Sequence, residues 1–210
     1  MSRVTRETDD WTPWYERTKA ELEKLSRAEI RVGILGTEDG ELLKIAAVHE
    51  FGATIHPKSA KNLAIPLRPE AKGKSPRAFP DTFVLDNGEN RFIAQNTGKG
   101  GKGKPKLLFM LLPSVTIPER SFIRAGYDGN KDRLAVACEN AVCRVIQGEL
   151  TAEQACYNIG VAAVAMIKEY MRTVQPPKGT LTQLSAPGKT TTLVQSGRLR
   201  DSIKFEVTGL

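Results

Sequence analysis

Apolar residues recur along this chain with two different periods, and the switches between them mark out its elements. Trp11, Trp14, Tyr15, Thr18, Leu22 and Leu25 fall on one helical stripe, with Glu16, Lys19, Glu23 and Lys24 away from it. That predicts an amphipathic helix ending near Arg27, with Thr12 as N-cap and Pro13 at the first position, where a missing N–H is no loss. Simple alternation follows over Glu29–Gly36. Ile30, Val32 and Ile34 are set against Glu29, Arg31 and Gly33, which predicts a half-buried strand. After a turn at Thr37-Glu38-Asp39-Gly40, the residues Leu42, Ile45, Ala46 and His49 predict a short helix over Glu41–Phe51, stopped by Gly52.

The texture changes over residues 53–117, which hold seven of the twelve prolines. Leu63–Leu67 is a short apolar piece. Phe83-Val84-Leu85 and Arg91-Phe92-Ile93-Ala94 flank Asp86-Asn87-Gly88-Glu89, a hairpin signal because Asn-Gly accepts positive φ. Leu107–Leu112 predicts a third strand. Helical periodicity then returns. Pro118 suits a helix start, which would put Arg120 and Arg124 on one face beside Phe122 and Ile123. Tyr127-Asp128-Gly129-Asn130 predicts an interruption. Leu134, Ala137, Cys138, Ala141, Val142 and Val145 form the next stripe, closed by Gly148. Thr151-Ala152-Glu153-Gln154 reads as a capping box opening a helix to about Val174, which buries Ala155, Ile159, Ala162, Ala163, Met166, Ile167 and Tyr170. Residues 178–192 read as a long loop. Ser196 suits the cap of a short helical turn, and Ile203, Phe205 and Val207 alternate as a final strand.

The expected fold class is α+β: an antiparallel sheet packed against two or three long helices, with a β-rich insertion. In that reading residues 1–11 are a disordered N-terminus, 12–52 and 118–210 form a core domain, and 53–117 is the insertion.

Composition narrows the function only a little. The chain has 210 residues and a net charge of +7, which permits contact with nucleic acid or acidic proteins without specifying either. No apolar run is long enough to predict a membrane span, and the polar start is no signal peptide. Cys138, Cys143 and Cys156 are an odd number without metal-ligand spacing, and predict reduced, small core residues in a reducing cytoplasm.

Candidate chemistry is thin. Gly98 and Gly103-Lys104 have the separation of a phosphate-binding loop, but Pro105 stands where a magnesium-binding hydroxyl belongs, and the run that follows is strand-like. His49-Glu50 lacks the second histidine of a zinc protease, and no nucleophile elbow occurs. No catalytic residue, cofactor or metal is expected. Lys99, Lys102, Lys104 and Lys106 form a basic stretch able to neutralise phosphates, yet no aromatic residue interleaves with them for stacking.

Four segments together carry a resemblance. They are Ile30–Leu35, Ile45–Gly52, Ile117–Arg124 and Leu193–Ile203. In that order they resemble the neck and tail-completion proteins of long-tailed bacteriophages, the phage virion morphogenesis family. The shared pattern is a Val-Gly strand, a helix ending in Glu-Phe-Gly, an Ile-Pro-x-Arg-x-Phe segment and a closing Ser/Thr-Gly-x-Leu-x-x-Ser-Ile. Ser121 departs from the family's usual proline, Ser196 from its commoner threonine, and the insertion is longer than in compact members. Leu63–Leu67 and Leu112-Pro113-Ser114-Val115 resemble the Mu-like branch.

The resemblance implies a non-enzymatic virion protein, assembled in the host cytoplasm into a ring, commonly of six, at the head–tail junction. Its implied partners are copies of itself, a head-completion or connector protein, and the tail tube or terminator. Arginine and aromatic residues suit such an interface. The expected contact residues are Glu50, Phe51, Arg120, Phe122, Arg124, Arg198 and Arg200, with Glu50 pairing Arg120 or Arg124. Lys99, Lys102, Lys104 and Lys106 would touch channel DNA or a partner. The competing expectation is a basic DNA-binding accessory protein.

Overall fold

The computed structural model describes residues 11–35, 39–97, 103–173 and 197–210. The fold is α+β with antiparallel pairing throughout. The chain forms two compact units. One comprises residues 1–38, 123–170 and 200–210, and the other 39–122 and 171–199. The first cut falls at Asp39 rather than at residue 53, because strand pairing and hydrogen bonds tie the short helix to the strand-rich segment.

In the first unit, helix α1 (Trp11–Arg27) is followed by strand β1 (Glu29–Ile34). Helices α3 (Arg124–Asp128), α4 (Lys131–Ile146) and α5 (Ala152–Tyr170) come next, and strand β8 (Ile203–Thr208) closes the unit. Strands β1 and β8 form an antiparallel ribbon from Glu29↔Thr208 to Ile34↔Ile203. The ribbon lies on α5, which also packs against α4 and α1. Ala141, Val145 and Ala155 are the buried centre, with Leu25, Leu150 and Ile159 against it. Small residues allow the close approach, as expected from the α5 stripe. At Gly160 the Phe205 ring lies so close that an added Cβ would overlap it.

The α5 capping box forms as read: the Gln154 N–H donates to Thr151 Oγ1 at 3.2 Å and the Thr151 N–H donates to Gln154 Oε1 at 3.0 Å. A second anion reaches the same helix start. Glu21 Oε2 of α1 accepts the Ala152 N–H at 2.6 Å, and that bond, followed by Lys24, holds the Glu21 carboxyl below its usual range.

The second unit holds helix α2 (Gly40–Phe51) and strands β2 (Ala53–Ile55), β3 (Leu63–Pro66), β4 (Thr82–Asp86), β5 (Arg91–Gln95), β6 (Lys106–Leu112) and β7 (Val115–Ile117). β2 pairs with β7, and the other four form a sheet in the order β3-β6-β5-β4. The hairpin turn is as expected: Gly88 has φ 87, and its N–H donates to Asp86 Oδ1 at 2.9 Å. The unit's core gathers Ala71, Leu108 and Phe109, with Phe79 edge-on to Phe109. A short helix α6 (Arg198–Asp201) precedes β8.

Three expectations are corrected. No helix starts at Pro118. Residues 118–122 have no regular structure, and α3 begins only at Arg124. Pairing of β7 just before Pro118, and a side-chain hydrogen bond to the Phe122 N–H, hold this backbone out of the helical ladder. Arg120 and Arg124 therefore do not share a helical face. Of the cysteines, Cys156 is buried but Cys143 is exposed. On α1, Trp11 and Tyr15 are exposed although they belong to its stripe. Residues 1–10, the loop at 178–192, and Ser196 lie outside the described residues, as does the turn at Thr37 and Glu38.

Candidate functional site

The C-terminal end of α2 and the irregular segment after β7 meet within the second unit. The meeting is built on an unusual helical stripe. Leu42, Ala46 and Glu50 recur every four residues and all three are buried, so the inward face of α2 ends in a carboxylate. Glu50 Oε1 accepts the Ser121 hydroxyl at 2.7 Å, and Glu50 Oε2 accepts the Phe122 N–H at 2.8 Å. The Arg120 N–H donates to the carbonyl of His49 at 2.7 Å, satisfying a terminal carbonyl of the helix. Gly52 completes the clasp. Its φ is 70, and a Cβ there would come within 3.0 Å of the Glu119 nitrogen.

Burial changes the chemistry of these groups. Arg120 is a buried charge, and desolvation lowers its pKa. His49 is half-buried and its Nδ1 has no hydrogen-bond partner. Burial first, and the Arg120 charge second, hold the His49 imidazole below its ordinary pKa and so favour its neutral form. A carboxylate whose oxygens accept fixed donors, beside a buried guanidinium and an imidazole biased to its neutral form, is arranged to lock a backbone path. The described residues contain no group of three or more His, Cys, Asp and Glu side chains able to hold a metal ion.

The structure thus brings together Glu50, Arg120 and Phe122. Phe122 is completely buried and belongs to the core, whereas Phe51, the next residue after Glu50, is 65% exposed. These two phenylalanines have opposite roles, which the sequence motifs do not separate. Ser121 supplies one of the two donors to Glu50.

The remaining expected residues lie elsewhere. Arg124 is an exposed residue at the start of α3 in the first unit. Arg198 forms an ion pair with Asp39, the N-cap of α2, whose carboxylate also accepts the Leu42 N–H at 3.0 Å. The Leu42 bond, with help from the Arg198 charge, keeps Asp39 below the usual carboxylate range. Arg200 pairs with its neighbour Asp201 at 2.9 Å. Lys99 and Lys102 lie outside the described residues. Lys104 is exposed, and Lys106 sits in β6 with its ammonium 2.7 Å from Glu70, so it is a neutralised pair within the unit. No helix of the described residues is long and apolar enough to cross a membrane.

Comparison of the chain with protein-family models, with curated proteins and with solved structures finds no match.

Proposed function

We propose that this chain is a structural virion protein of a long-tailed bacteriophage, forming a ring at the head–tail junction that completes or joins the tail. One observation carries the reading. The four segments on which the resemblance rests, far apart in sequence, meet as two pairs. Ile30–Leu35 and the end of Leu193–Ile203 are joined by the β1–β8 register, in which Ile34 opposes Ile203. Ile45–Gly52 and Ile117–Arg124 are joined by the Glu50 clasp. The motifs then have a physical reason to occur together: each is half of a closure. In this reading the ring is of about six copies, binds a connector above and a tail tube or terminator below, and turns over no substrate. Rings need one surface patch to meet a different one on the neighbour.

The test is twofold. Native mass measurement of the purified chain, alone and with tail tubes, is expected to give a closed oligomer or one that forms on the tubes. Deleting the gene is expected to yield separate heads and tails. Virions that lack the chain, or a permanent monomer that binds duplex DNA with a steep salt slope, would overturn the proposal.

A further inference from the structure

Strand β8 has an open edge with an apolar shelf beside it. Among the described residues the β1–β8 ribbon has only two strands, so β8 has no neighbour on its outer side. A groove of about 460 Å³ runs there, lined by five consecutive residues, Ile203–Val207, together with Tyr157 and Val164 of α5. Successive strand residues point to opposite faces, so a groove touching all five lies along the strand's backbone edge and not on one face. Its floor on α5 is Tyr157 and Val164, and Tyr157 is 59% exposed. This is the shape into which an extended segment adds as a further strand.

The same chain carries a strand that fits. The four-stranded sheet has two edges, β3 and β4. β3 is blunted: the Leu67 N–H points at β6, bonding the Leu108 carbonyl at 2.8 Å, so the nitrogen of Pro66 faces outward and offers no donor. Among the described residues no strand pairs with the outer side of β4, and Val84 on it is 54% exposed. The sheet is also apolar on both faces. One face holds Phe109 and Ile93 in the core. Across the other, Ile65, Met110, Phe92 and Leu85 stand in register on all four strands, each half-buried. An apolar second face that ends at an open edge is what a sheet continued by another chain requires.

We infer that β4 of one copy adds antiparallel to the outer edge of β8 of a second copy, with Asp86 opposite Lys204. Charge and pattern choose this register. Glu206 is already paired with Arg31, whereas Lys204 has no ion-pair partner among the described residues; Asp86 is an exposed carboxylate 3.2 Å from Arg91 on its own hairpin, and Lys204 would share it. Placing Asp86 opposite Lys204 sets Leu85 against Phe205, Val84 against Glu206 and Phe83 against Val207. Phe83 and Leu85 then cover the α5 shelf, and the apolar row Ile65–Met110–Phe92–Leu85 runs on into Phe205 and its partner Val32. The contact joins unlike patches, as a ring needs, and so the inference rests on the ring reading above.

Cysteine pairing tests the register, since opposed residues in an antiparallel pair are about 4.5–5.5 Å apart at Cα, within disulfide reach. In a Cys143→Ser background, full-length Lys204→Cys chains are mixed with Asp86→Cys chains and oxidised. Glu206→Cys with Val84→Cys reads the same register without touching the hairpin turn. Both mixtures are expected to give cross-linked dimers, and Lys204→Cys with Thr82→Cys only background. Failure of both expected pairs while native mass still shows a ring would overturn this interface and leave the ring reading standing. Linkage of Lys204→Cys to its own kind, or to a different virion protein, would equally overturn it. A chain that is monomeric alone and on tail tubes would overturn both.

Discussion

Glu50 is the residue on which the clasp depends. Its carboxylate is buried and accepts two donors from the segment after β7, so replacing it strands both. Glu50→Ala is expected to cost about 3 kcal/mol in urea unfolding, and Ser121→Ala about 1 kcal/mol, because only the former leaves a buried backbone N–H without an acceptor. A loss under about 1 kcal/mol for Glu50→Ala would show that the clasp is ornamental. His49 sets a pH dependence at the same place. Its folded-state pKa lies below its ordinary value of 6.5, so the folded protein disfavours the imidazolium more than the unfolded chain does. The stability from its neutral form is therefore complete above about pH 6.5 and is lost as pH falls below it. Melting temperature measured from pH 7.5 down to 5 should fall, and His49→Gln should flatten that fall. Neither role was legible in the motif itself. Glu-Phe-Gly marks a helix end, but periodicity pointed to Leu42, Ile45, Ala46 and His49; Leu42 and Ala46 are buried, Ile45 is exposed, His49 is half-buried, and the third buried position is Glu50. A carboxylate on an apolar face reads as a mismatch until its donors, some seventy residues away, are in place.

At the scale of elements, legibility followed how local each signal is. The Asn-Gly hairpin, the Thr151–Gln154 capping box and the long α4 and α5 stripes rest on neighbours a few residues apart, and all form as read. Strands β2 and β7 have three residues each and no alternation to show, so they escaped detection and took the true start of α3 with them. Pro118 is compatible with a helix start and equally with an extended approach, and long-range pairing decided between them. The Gly160 contact is likewise invisible in sequence, since a lone glycine in a helix reads as a weakness. Here it makes room for Phe205, and Tyr157 meets the same ring edge-on at 5.4 Å. Gly160→Ala is expected to destabilise by about 1–3 kcal/mol through overpacking. Combining it with Phe205→Leu should cost less than the two changes summed, as shared contacts couple. Strict additivity would mean that α5 and β8 are not held together at this point.

For the whole molecule, the expected core of 12–52 and 118–210 and the observed division differ because α2 joins the strand-rich unit through the clasp. Local pattern could not reveal that, since α2 has almost no amphipathic contrast of its own and its allegiance is set by partners distant in sequence. The same chain order bears on when the β1–β8 ribbon can form. β1 is the first strand to leave the ribosome and β8 the last, so β1 stays without its partner until every other described element has been made. A nascent chain that stops short of Ile203 has no β1–β8 ribbon, and so lacks the edge on which the proposed interface would form. Under the proposed interface, self-association would therefore wait for the synthesis of β8, a delay set by the order in which the strands are written.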